Sequence, residues 1–221
     1  MTRHENSFHK TKTSLLALLN ANGLILWKAL GLMIVQIVLT FMAMDILSRR
    51  PIHLPKKYLW ASVLALLSLT AILVMIPMPI NIKLLVFTAF SVTFGCMLSF
   101  FTHGIDGSAL HTAVSGAVSI FIAMMLFGLL LVLMRVNIGW IGVFLFMGLI
   151  SILIAQIWSK IFQISHAKKI LVTIGLVLFS TFVVFDTWDI LQNDYGGDFV
   201  TASVDFYLNF LYLFIRLLNL K

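Results

Sequence analysis

Seven stretches of about twenty apolar residues follow one another along the chain, at roughly 27–47, 58–78, 83–102, 113–134, 138–158, 169–189 and 200–220. About twenty apolar residues wound as α-helix span the hydrocarbon of a bilayer. No other regular structure contained in one segment pairs its backbone groups in lipid. The order therefore predicts an all-α fold: a polytopic membrane protein built as a seven-helix transmembrane bundle. At 61% hydrophobic and 10% charged residues, with a mean hydropathy of +1.08, the chain has too little polar surface to coat a water-soluble globule.

The connections are short. SRRPIHLPKK and IPMPIN carry proline pairs that stop helices, HGIDGSALH and VNIG supply turns, and FQISHAKK joins the fifth segment to the sixth. No linker separates domains and no internal repeat is visible, so residues 27–221 read as one transmembrane domain behind a polar, weakly amphipathic tail at 1–26. That tail lacks the compact apolar core and cleavage site of a removable signal peptide, and the first spanning helix is expected to double as the insertion signal.

A net charge of +7 raises nucleic acid as a partner. The basic residues, however, sit in small clusters between apolar runs, where they act as topology signals and headgroup contacts, so the expected partner is the lipid bilayer and not nucleic acid. With the N-terminus in the cytoplasm, that side collects Arg3, Lys10, Lys12, Lys83 and Arg135, and the other Arg49, Arg50, Lys56, Lys57, Lys160, Lys168 and Lys169. The positive-inside rule mildly favours the reverse orientation. Lys28, Arg135 and Arg216 lie near helix ends, from which they can snorkel to the interface. The single cysteine, Cys96, lies in an apolar run and reads as a packing residue.

Five of the eight acidic residues fall within DTWDILQNDYGGDFVTASVD, residues 186–205. Asp186 lies inside the sixth segment with Asp189 on the same face. Asp205 lies inside the seventh, with Asn209 one turn deeper on the same stripe. The short loop between the segments puts both groups at similar depth. Two carboxylates sharing a poorly solvated site cannot both ionise easily, which makes such a pair a proton-sensitive latch. Asp189, Asp194 and Asp198 are expected to be solvated acids that concentrate cations at a pore mouth.

No enzyme signature is present: no G-x-S-x-G, H-E-x-x-H, P-loop or dinucleotide fingerprint. The pair FD (185–186) and YGGD (195–198) departs from that of intramembrane aspartyl proteases, since Tyr195 stands where glycine is required. His103, Asp106 and His111 fall short of a zinc signature, and the loop acids lack EF-hand spacing. The expectation is no catalysis, no cofactor and no firm metal site, with Ca²⁺ entering only as a permeant or weakly bound ion.

FDTWDI followed by TASVDFYLNFLYLFIRLL resembles the F/Y-D-T-Q-x-I and A-x-x-L-Y-L-D-x-x-N-L-F-x-x-L-L patterns of the transmembrane Bax inhibitor-motif family, also called Bax inhibitor-1-like or lifeguard proteins. WKALGLMIVQIVLTF is similar to the family's first helix, and TWDI before a short polar loop looks closest to the bacterial branch. The resemblance implies a seventh helix surrounded by the other six, and a proton-sensitive carboxylate pair joining helices six and seven. It also implies pH-dependent calcium leak; eukaryotic members restrain cell death, and a bacterial one modulates a membrane-bound protease. Asp186 matches the family's sixth-helix aspartate. Asn209 takes the place of the seventh-helix aspartate, Trp188 that of the usual glutamine, and Asp205 is the substitute acid. An amide can hold Asp186 but cannot titrate, so a weakened or displaced pH response is expected.

Two functions follow as expectations: a pH-sensitive cation leak or regulator of ion homeostasis, and a non-conducting modulator of a membrane protease or other assembly. The implied location is a bacterial inner membrane, or the endoplasmic reticulum or Golgi membrane for a eukaryotic or viral source.

Overall fold

The computed structural model describes residues 3–49, 56–102, 105–162, 167–193, 195 and 197–220, and these form seven helices. They are α1 (Arg3–Ser48), α2 (Lys56–Met75), α3 (Ile80–Thr102), α4 (Gly107–Leu133), α5 (Ile141–Ile161), α6 (Ala167–Gln192) and α7 (Phe199–Leu218). Each expected apolar segment is a helix. The largest difference is at the start, where α1 runs back to Arg3 through residues expected as tail; hydropathy marks where a helix enters lipid, not where it begins. α2 stops at Met75 because Pro77 disfavours helical backbone in the residue before it and supplies no N–H. α4 ends in a Schellman turn: Arg135 takes the left-handed conformation, at φ 58°, that glycine usually fills, and the Val136 N–H reaches the Leu131 carbonyl at 3.0 Å.

Six helices among the described residues are long and apolar enough to cross a membrane, and the apolar stretch of α2 described as Ala61–Leu73 is shorter. Packing shows that α2 must also traverse the bundle. Gln36 meets Thr88, Thr40 meets Ser91, and Ala43 meets Gly95, so α1 and α3 run parallel. Only a crossing α2 joins two parallel neighbours. The chain is thus an integral, multi-pass helical membrane protein.

α7 has the lowest mean hydropathy of the six spans, 1.3, and the largest buried share, 61%, whereas α5 has 2.3 and 11%. This inverts the soluble rule, because in lipid the apolar helix gains nothing by hiding and the polar one must. α7 is enclosed by α1, α3, α4 and α6, while α2 packs on α3 and α5 on α6. α7 is thus the central helix, as the resemblance implied, and most of its packing is against these four, with α2 and α5 further out. Close approach relies on glycine at Gly95, where a Cβ would stand 2.9 Å from that of Ala43, and at Gly128, where it would stand 2.8 Å from Thr187.

Candidate functional site at the α6–α7 hairpin

The two helices run antiparallel, and a polar pair joins them within a largely apolar contact. Asn209 Nδ2 donates to Asp186 Oδ2 at 2.5 Å, and both residues are buried. α6 continues to Gln192, three residues beyond the expected end. Asp186 is therefore about 9 Å from its helix end, and Asn209, ten residues into α7, about 15 Å from its own. The contact is a charge-assisted or neutral hydrogen bond buried inside the bundle, where an unpaired polar group is costly.

Of the residues predicted for this site, Asp186 and Asn209 come together directly. Asp205 lies one turn nearer the loop on the same stripe, half-buried, and makes no hydrogen bond to a described residue. It is a neighbour in charge, not the substitute partner in the bond. Asp189 accepts from Asn193 Nδ2 and, at 3.0 Å, from the Tyr195 hydroxyl. Tyr195 marks where the three acids converge: burial raises its phenol well above the usual range, and the charges of Asp205, Asp189 and Asp186 push it further. It remains a neutral donor at any physiological pH.

Asp198, expected as a solvated pore-mouth acid, has a different role. Its Oδ1 caps α7, accepting from the Val200 and Thr201 N–H groups at 3.2 and 3.1 Å, and its Oδ2 takes the Thr201 hydroxyl at 2.7 Å and an ion pair from Lys83. Burial pulls this carboxyl upward, but hydrogen bonds from Lys83 and Thr201 outweigh it and hold it below the usual carboxylate range. Its charge is met within the protein by Lys83 and the start of α7. Asp194 and His103 lie outside the described residues. Asp106 is bonded by Ser108 and His111 is exposed, and among the described residues no group of three or more His, Cys, Asp or Glu could hold a metal ion.

Four residues escaped the sequence reading. Buried Lys83, taken as a topology charge, ties the start of α3 to the start of α7 through Asp198 and Thr201. Trp188 Nε1 donates to the Val136 carbonyl at 2.9 Å, which fastens the α4–α5 turn to α6. On the opposite side of α7, the Tyr207 and Thr40 hydroxyls meet at 2.5 Å. Thr40 passes its own proton to the Gln36 carbonyl at 2.8 Å, so Tyr207 is the donor. Phe87 and Phe90 meet the Tyr207 ring edge-on at 5.2 and 6.0 Å. The i, i+4 spacing of Gln36 and Thr40, and of Ser203 and Tyr207, was the available signal: polar stripes one turn long inside apolar helices.

Comparison with known proteins adds two findings. The family model described as inhibitor of apoptosis-promoting Bax1 matches residues 23–220. An uncharacterized protein of Campylobacter jejuni is 33% identical over 79 residues, which are 36% of this chain and 34% of that protein, so the match spans about a third of the relative's length.

Proposed function

This chain belongs to the Bax inhibitor-1 or lifeguard family, and from that premise we propose that it is a pH-sensitive cation leak, chiefly for Ca²⁺, or a regulator of membrane ion homeostasis, working without catalysis or a resident cofactor. The family is associated with such leak. The observation that carries the reading is the Asp186–Asn209 hydrogen bond, because it spends a buried ionisable group on joining two helices that lipid-compatible apolar packing alone would join. The charge state of Asp186 sets how strongly the amide is held. Asp189 and Asp205, on the loop side, bias that charge state. Because Asn209 does not titrate, the response to pH is shallower than a two-carboxylate contact would give.

Purified protein in liposomes, loaded with a Ca²⁺ indicator and compared at acid and alkaline pH, tests this. Flux above that of empty vesicles, altered by Asp186→Asn, is expected. Flux equal to empty vesicles rejects the leak, and a membrane protease that co-purifies and is lost on deleting residues 1–20 marks a non-conducting modulator instead.

A further inference from the structure

The end of the bundle opposite the acidic hairpin holds a cation that the leak reading leaves unused. Arg216, half-buried in the last turn of α7, lies across Gly175 of α6. A Cβ at Gly175 would stand 2.7 Å from its Nε and 2.8 Å from its Cζ, so glycine is what lets the guanidinium settle against α6. The ion pairs among the described residues, Arg49–Asp45 and Lys83–Asp198, do not involve it. Among the described residues no carboxylate pairs with this guanidinium, which burial has drawn partly out of water.

Its surroundings say which counter-charge fits. Lys169, exposed and six residues earlier on α6, lies about 9 Å closer to the same membrane surface. Lys160 falls at the end of α5, Lys168 at the start of α6, Lys56 and Lys57 at the start of α2, and Arg49 just after α1, all at that end of the bundle. Beside this basic rim, a cavity of about 550 Å³ opens on the outer surface of α5 and α6, lined by Ile154, Ala155, Trp158, Ser159, Ile170 and Leu171 among others. Leu171 precedes Gly175 by one turn on the same face of α6, so the groove adjoins the arginine slot. A planar fork that suits two phosphate oxygens, basic residues nearer the membrane surface and an apolar trough beside it match one molecule: a phosphodiester headgroup with its acyl chain.

We propose that Arg216, with Lys169 at the rim, binds the phosphate of an anionic phospholipid whose acyl chain lies in the α5–α6 groove. The site does not depend on the leak reading, since it shares no residue with the α6–α7 contact. Native mass spectrometry of the full chain in detergent, with added phosphatidylglycerol, phosphatidylcholine or inorganic phosphate, tests it. Phosphatidylglycerol should be retained about tenfold better than phosphatidylcholine: both carry the phosphate, but the choline cation cancels its charge and is repelled by Arg216 and Lys169. Arg216→Gln should abolish that preference and Lys169→Gln reduce it, while Arg135→Gln at the opposite face leaves it intact. If Arg216→Gln does not fold, Arg216→Lys serves, because it keeps the charge, loses the fork and should lose part of the preference. A preference that survives both Arg216 variants, or equal retention of the two lipids, overturns the proposal. Displacement of phosphatidylglycerol by inorganic phosphate alone assigns the slot to a soluble anion and overturns the lipid.

Discussion

α7 meets its neighbours through two polar seams of opposite character. Toward α1 and the middle of α3, away from the Lys83–Asp198 ion pair at the helix start, the contact is neutral: Tyr207 donates to Thr40, Phe87 meets its ring edge-on, and behind them Gln36 Nε2 of α1 donates to Thr88 of α3 at 3.1 Å. Toward α6 the contact turns on a carboxyl, Asp186, held by Asn209. The neutral seam keeps its hydrogen bonds at every pH a cell meets, so it can only fix the helix in place. The acidic seam holds an ionisable group, so on the proposed function it is the side from which motion that answers to pH would come. A central helix anchored on one flank and conditional on the other is a hinge in the making, and each variant below loads one flank.

The heaviest blow falls on the anchored flank. Tyr207→Ala removes a fully buried ring together with its hydrogen bond and should cost about 3–5 kcal/mol. Tyr207→Phe keeps the ring and should cost about 1 kcal/mol. Cys96, the single cysteine and half-buried on α3, supplies the readout: the temperature at which it becomes reactive to a thiol dye. A Tyr207→Ala protein that melts with the wild type would mean the neutral seam anchors nothing.

The second variant loads the conditional flank. Asn209→Asp puts two carboxyls in hydrogen-bond contact, and they cannot both ionise there. The expected loss is about 2 kcal/mol at neutral pH, regained on acidification as the pair takes up a shared proton. Proton-dependent flux in liposomes should steepen in parallel. Equal pH profiles for wild type and variant would show that the acidic seam does not set the response.

What the sequence made legible follows the same division. Segment count, helix order and the meeting of Asp186 with Asn209 were readable because lipid imposes one period and one length, and because an acid in an apolar run stands out. Asp198 was misread because hydropathy treats a loop acid as solvated, whereas its environment comes from Lys83, 115 positions away. Tyr207 was missed because it looks apolar beside four phenylalanines and leucines, and only the parallel packing of α1 and α3 brings Thr40 to its hydroxyl. The polar residues whose roles depend on a partner in a distant helix are those a linear reading leaves blank.

A smaller effect is expected where α7 begins. Asp198→Asn keeps part of the cap but loses the ion pair with Lys83, for about 1 kcal/mol. Because folding lowers the carboxyl below its ordinary value near 4, its contribution is complete above that pH and fades as pH falls through the lowered value. Wild type should therefore lose stability below about pH 4 more steeply than the variant. Parallel acid limbs would show that Lys83 and Asp198 are neighbours without coupling.

The least change, and one of opposite sign, belongs to Ser203. Serines and threonines within the helices commonly return their proton to the carbonyl four residues back, as Ser68, Ser91, Ser180 and Thr187 do at 2.7–3.0 Å. Ser203 is fully buried on α7, one turn before Tyr207, and its hydroxyl has no hydrogen-bond partner among the described residues. Gln36 Oε1 shares that condition, for Thr88 spends its proton on the Leu84 carbonyl at 2.9 Å and can only accept from the amide. A buried hydroxyl without a partner is a net cost, so Ser203→Ala should raise the melting temperature by the equivalent of up to about 1 kcal/mol. Thr40→Ala, which strips the Tyr207 hydroxyl of its acceptor, should lower it. Were Ser203→Ala also destabilising, the hydroxyl would have to be satisfied in the membrane, and the neutral flank would be more than a fixed anchor.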